Sequence, residues 1–182
     1  EVKSELGAGT RGASLGPDAI KVAALDYGSN LFYKIPSIDI PTENFRLFEP
    51  QGSPYAKRIK GIVNIYEKLS KTVADVLKAK EFPIVLAGDH STAGGTMAGI
   101  KMANPKARLG VIWIDAHADL HSPYTSPTGN VHGMPLAATL GEDNAANKMN
   151  KPDKETIDLW NKLKKVGGMT PKINYSDLVF IS

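Results

Sequence analysis

Residues 109–121 read LGVIWIDAHADLH. The run Val111-Ile112-Trp113-Ile114 is apolar without alternation, the pattern of a strand covered on both faces, as in a parallel sheet. It runs straight into Asp115, His117, Asp119 and His121. In an open parallel sheet, ligands bind just beyond the carboxyl ends of the strands. Alternate residues share a face while the backbone stays extended, so Asp115, His117 and Asp119 are expected to point together. Two carboxylates and an imidazole crowded on one face repel each other and lose hydration, and a divalent cation relieves both problems.

Outward from this stretch the same design repeats. PIVLAG (83–88) is a second short apolar run, and it ends in Asp89 and His90. DLVFIS (177–182) is a third. Helical patterns lie between them. Ile59, Ile62, Val63, Tyr66, Leu69, Val73, Val76 and Leu77 recur at three- and four-residue spacings with lysines opposite, one apolar stripe of a long helix that faces a core. Ser53 and Pro54 suit the N-cap and first position of that helix. Gly16-Pro17-Asp18 opens a short helix over PDAIKVAAL. STAGGTMAGIKMA (91–103) is helical and rich in small residues, suited to close packing. KETIDLWNKLKKVGG (154–168) is amphipathic and closes on Gly-Gly. YKIPSIDIP, with two prolines, is an edge strand at best. Trp113 and Trp160 are expected to be packing residues.

Strands alternating with helices indicate an α/β fold, three layers α/β/α around a mainly parallel sheet. We expect one domain over residues 1–182, incomplete at its C-terminus, because DLVFIS reads as a strand cut off as it leaves the sheet. The 182 residues suffice for one sizeable core. A net charge of +3 with interspersed signs gives no dense basic run, so nucleic acid is not an expected partner. The longest apolar runs fall short of the roughly 20 residues of a membrane span. The absence of cysteine excludes disulfides and thiolate metal sites, and we expect a cytoplasmic protein.

All four histidines, His90, His117, His121 and His132, lie between residues 90 and 132. His90 with Asp115, His117 and Asp119 forms a nitrogen and oxygen donor set without sulfur, which suits Mn²⁺ and, less specifically, Zn²⁺, Co²⁺ or Fe²⁺. A carboxylate such as Asp115 can bridge two ions, and paired ions generate hydroxide near neutral pH. Asp89 reads equally as a cap bracing its loop or as a functional group. His121 reads as a substrate contact or a solvated loop residue. His132 reads as a proton shuttle or part of a plain surface loop over SPYTSPTGNVHG. The Gly-rich start GAGTRGASLG (7–16) lacks the Gly-Lys-Ser/Thr ending of a phosphate loop and is expected to be an ordered loop near the site mouth.

Together, GAGTRGASLGPDAI, LAGDHS, IDAHADLHSPYTSPTGNVHGMPLA and DLVFIS resemble the ureohydrolase family of arginases and agmatinases, and are most like a bacterial-type arginase, over nearly the whole chain. The resemblance implies an arginase-like fold and manganese-dependent hydrolysis of a small guanidino substrate, L-arginine to L-ornithine and urea, by a metal-bridging hydroxide. His90, Asp115 and Asp119 would hold one of two Mn²⁺ ions, Asp115 and His117 the other. Asp119 and His132 would be catalytic, with His132 in proton transfer. His121, Thr128 and Asn130 would bind substrate, although arginases usually carry Asn at the position of His121. The family's further Asp-x-Asp and Glu are not among these 182 residues, so the fragment alone is expected to be inactive. A homo-oligomer, trimer or hexamer, is implied. The alternatives are agmatinase or another guanidino-acid or formimino hydrolase of the same family, a one-zinc hydrolase of related architecture, and a scaffold with a vestigial site.

Overall fold

The computed structural model describes residues 1–182. Its helices are α1 (Gly16–Asp26), α2 (Leu31–Lys34), α3 (Ile59–Lys78), α4 (Ala93–Ala103), α5 (Pro135–Leu140) and α6 (Lys154–Lys165). The strands are β1 (Val111–Ile114) and β2 (Leu178–Ile181). They pair in parallel, with Val111 opposite Leu178 and Ile114 opposite Ile181. Parallel strands need a crossover, and α5 and α6 lie within it. The α/β class with a parallel sheet is therefore what the chain adopts. No helix is long and apolar enough to cross a membrane.

The apolar stripe of α3 is the centre of the core. Ile62, Ile65, Tyr66 and Leu69 are buried among Val131, Met134, Trp160 and Leu163. Trp160 buries its ring and donates Nε1–H to Asp143 Oδ1 at 2.7 Å. The small residues of α4 do what the sequence suggests. A Cβ on Gly99 would stand 2.6 Å from the Ser70 carbonyl oxygen, so only glycine lets α4 approach α3 this closely. A second cluster joins Trp113 of β1 to Met97 of α4 and to Leu136 and Leu140 of α5. One face of the sheet is thus covered by helices.

The other face is open. Ile112, Ile114, Val179 and Ile181 are all more than half exposed. The register sets them side by side. Of the three expected layers, these residues supply two.

Three local expectations are corrected. PIVLAG forms no strand. Segment 83–88 makes one parallel bridge, Ala87 to Val2, with Val2 donating to Leu86 O at 2.9 Å and Gly88 to Val2 O at 2.9 Å. A ladder needs a continuous neighbour, and only the short N-terminal segment runs beside it. YKIPSIDIP likewise forms no strand; Ile40 donates to Glu1 O, and the N-terminal ammonium donates to Ile38 O. The long helix starts at Ile59, not Pro54. Ser53 Oγ instead accepts the Tyr55 N–H in a local turn, and Lys57 N–H is drawn to Gly129 O at 2.8 Å. That tertiary bond outweighs the local capping preference, and the chain enters α3 through Arg58 at φ 55°.

Candidate functional site

His90, Asp115 and Asp119 converge beyond the carboxyl end of β1. One ligand-competent atom from each lies within 4.8 Å of the others. His90 sits between the carboxylates, Nδ1 3.4 Å from Asp115 Oδ2 and Nε2 3.6 Å from Asp119 Oδ2.

Each residue arrives by a different local device. His90 opens a 3-10 turn over His90–Thr92 that leads into α4. Asp89, immediately before it, is buried and accepts the Ser91 N–H at 2.8 Å and the Gly7 N–H at 3.1 Å. Of its two readings, the structure thus gives Asp89 the bracing geometry. Asp115 leaves β1 with its own N–H on Ile181 O at 3.1 Å. Its Oδ1 accepts the His117 N–H at 2.8 Å, which turns the chain at once. The extended backbone assumed for Asp115-x-His117-x-Asp119 is therefore absent. Asp119 is swung inward by its left-handed φ of 49° and held by Ala137 N–H on its carbonyl. The His117 side chain points out, 84% exposed, with Nδ1 3.4 Å from Asp115 Oδ1.

The two carboxylates differ in electrostatics. The His117 backbone N–H, with nearby His90, holds Asp115 below the usual carboxylate range. Burial pushes Asp119 up, and the charge of Asp115 adds to that, against the opposing influence of His90 and His132. A half-buried carboxyl beside an ionised one is stabilised as an anion by an added cation. With only oxygen and imidazole donors, this arrangement fits a divalent metal ion of the Mn²⁺ type.

Trp113 backs the cluster, its ring centroid 4.9 Å from that of His90. Its Nε1 is buried without a partner. The sequence marked Trp113 as packing alone, and nothing in the pattern of β1 signals this contact.

His132 and Asn130 lie against the Gly-rich start of the chain. His132 N–H donates to Gly7 O at 3.1 Å, and the backbone of Gly9 lies against the Asn130 side chain. The Gly-rich segment therefore lies against this loop and, through the Gly7 N–H, against Asp89 next to His90. Thr128 is exposed and its Oγ1 accepts the Asn130 N–H at 3.2 Å. His121 is exposed, its N–H on Gly133 O at 3.0 Å and its Nδ1 3.2 Å from Thr125 Oγ1. The loop is braced from inside: Ser126 Oγ accepts Gly129 N–H at 2.9 Å, and Asn150 Nδ2 donates to Ser126 O at 2.7 Å. Asn150, Ser126 and Thr125 were missed by sequence reasoning because their partners are fixed only by the folded loop.

A parallel α/β scaffold with a histidine and two aspartates gathered beyond the carboxyl end of β1 defines the class: an α/β protein with a site fitted to divalent-cation chemistry. The chain belongs to the arginase family, whose model matches residues 2–158. It is 38% identical over 182 residues to the arginase of Bacillus caldovelox, and 42% identical over 139 residues to that of Bacillus subtilis. These alignments cover 99% and 75% of this chain and 55% and 45% of the relatives, so the chain spans about half their length. The native B. caldovelox arginase structure superposes with a TM-score of 0.76 over 98% of this chain and 55% of its own. An Entamoeba histolytica arginase solved with L-ornithine gives 0.69 at 27% identity, over 98% of this chain and 55% of its own.

Proposed function

We propose that this sequence belongs to a manganese-dependent hydrolase of guanidino substrates, with L-arginine converted to L-ornithine and urea. The observation that carries the reading is the convergence of His90, Asp115 and Asp119 within 4.8 Å at the carboxyl end of the sheet. Membership of the arginase family supports it.

In this reading His90, Asp115 and Asp119 would hold manganese, and His117 would supply a further nitrogen donor for a second ion. Manganese, when bound, lowers the pKa of water enough to make it a nucleophile toward the guanidinium carbon. Asp119 keeps its carboxylate inside the site, where it accepts a proton at Oδ2. His132, exposed beside Gly7, passes a proton through its ring to the departing amine. Thr128, Asn130 and His121 orient the amino-acid end of the substrate. We further propose a single domain, a cytoplasmic location and a homo-oligomer, by the family resemblance.

Urea release from L-arginine, agmatine and 4-guanidinobutyrate by the manganese-loaded full-length protein tests this. Brisk turnover of agmatine without turnover of arginine would replace the arginase reading by agmatinase. A one-zinc hydrolase is the second reading, favoured by the outward turn of His117. Metal analysis returning one tightly bound zinc per chain would establish it.

A further inference from the structure

Thr125 is buried, 4% exposed, while its neighbour His121 is open to solvent. The Thr125 Oγ1 accepts the Ser122 N–H at 3.0 Å and lies 3.2 Å from His121 Nδ1. These are the only two hydrogen bonds of that hydroxyl. A hydroxyl carries one proton and two lone pairs. With Ser122 on one lone pair, the proton needs an acceptor, since a buried donor is seldom left without one. His121 Nδ1 is the acceptor in reach. Reversing the bond, with Nδ1–H donating, strands the Thr125 proton in a buried place. The hydroxyl therefore donates to Nδ1, and the ring proton of neutral His121 resides on Nε2.

We propose that Thr125 is a positioning residue that holds His121 as the Nε2–H tautomer, so that His121 offers a hydrogen-bond donor at the site mouth and selects guanidino substrates that carry a carboxylate. The selection rests on the hydrolase reading above; the tautomer does not. Thr125 holds the ring at Nδ1, and the His121 backbone N–H on Gly133 O anchors the main chain that carries it. Its Nε2 edge carries no protein hydrogen bond. A ring with Nδ1 occupied and Nε2 protonated has no free lone pair for a metal, which fits the absence of His121 from the three-residue donor cluster. A fixed N–H matches a carboxylate oxygen. A guanidino compound without a carboxylate, such as agmatine, gains nothing from it.

Two measurements test this. The first is a long-range ¹H–¹⁵N spectrum of the metal-free 182-residue chain, at a pH where the imidazole is neutral and with His121 assigned by His121→Asn. It should show the Nε2–H pattern, kept in Thr125→Ser and lost to a tautomer mixture in Thr125→Val. A wild-type Nδ1–H ring, or no change in Thr125→Val, overturns the proposal. The second uses the manganese-loaded full-length protein. Thr125→Val should raise KM for arginine by about tenfold, the scale of one hydrogen bond to a charged group, with kcat and agmatine kinetics unchanged. Equal losses on both substrates overturn the selection. No hydrolysis of any guanidine by the wild type sinks the enzyme reading and the selection with it, whereas the tautomer stands or falls on the spectrum.

Discussion

Asp89 and Gly7 are 82 residues apart, and a hydrogen bond of 3.1 Å from the Gly7 N–H to the Asp89 carboxylate joins the Gly-rich loop to the turn that carries His90. The same carboxylate takes the Ser91 N–H at 2.8 Å. Asp89→Ala leaves both buried donors unpaired and should destabilise the fold by about 2–6 kcal/mol, at 1–3 kcal/mol for each group. Urea denaturation measures this. A loss under 1 kcal/mol would mean that water replaces the carboxylate.

The donor cluster predicts an unequal response to ligand mutation. His90→Ala and Asp119→Asn should each weaken Mn²⁺ binding by more than about tenfold, the scale already seen for residues that merely support ligands. His117→Ala should leave binding of the first ion within about threefold, because the side chain lies outside the cluster. Calorimetric titration of the metal-free chain decides. Equal losses in all three variants would show that His117 folds inward on metal binding.

Close packing of α4 on α3 gives a third prediction. A Cβ on Gly94 would lie 2.5 Å from the Tyr66 hydroxyl, and on Gly99 2.6 Å from the Ser70 carbonyl oxygen. Gly99→Ala meets backbone and should cost about 1–3 kcal/mol as overpacking. Gly94→Ala meets a ring and should fall in the same range. Thermal melts that leave both variants at the wild-type midpoint would contradict the packing described.

Lys172 supplies a pH dependence. Its side chain is buried, and burial pushes the amine from 10.5 down to about 8. Between those values the unfolded chain binds a proton that the native state does not, so stability rises with pH across that window. Measured against Lys172→Met, wild-type stability should climb by up to about 3 kcal/mol between pH 8 and 10.5. Bonds from Nζ to Lys164 O and Met169 O favour the charged form and reduce the climb. A flat difference across the window would place the native pKa near its ordinary value.

The open sheet face gives the last prediction. Ile112, Ile114, Val179 and Ile181 form a contiguous exposed apolar patch, and such patches drive association. The 182-residue chain should self-associate in sedimentation velocity runs, and Ile114→Lys should reduce this without altering the far-ultraviolet spectrum. A monomeric wild-type chain would refute it.

Much of this protein was determined by its sequence. The stripe of α3, the small residues of α4, the run of β1 and the Gly-Gly end of α6 are periodic or compositional signals, and each formed close to where the pattern places it. Such features depend on neighbours a few residues away. The candidate donors His90, Asp115 and Asp119 were legible for a related reason: polar residues that follow short apolar runs stand out against their context. Tertiary structure alone decided the rest. PIVLAG carries a strand pattern but lacks a continuous partner, so its backbone makes a single bridge. Ser53 and Pro54 signal a helix start, yet the tie of Lys57 to Gly129 delays it to Ile59. His117 shares its spacing with Asp115 and Asp119 and still points away, because Asp115 captures its N–H and turns the chain. Asp119 returns inward only through a left-handed backbone held by α5. In each case a hydrogen bond to a residue distant in the chain, or a turn that periodicity does not encode, outweighed the local preference.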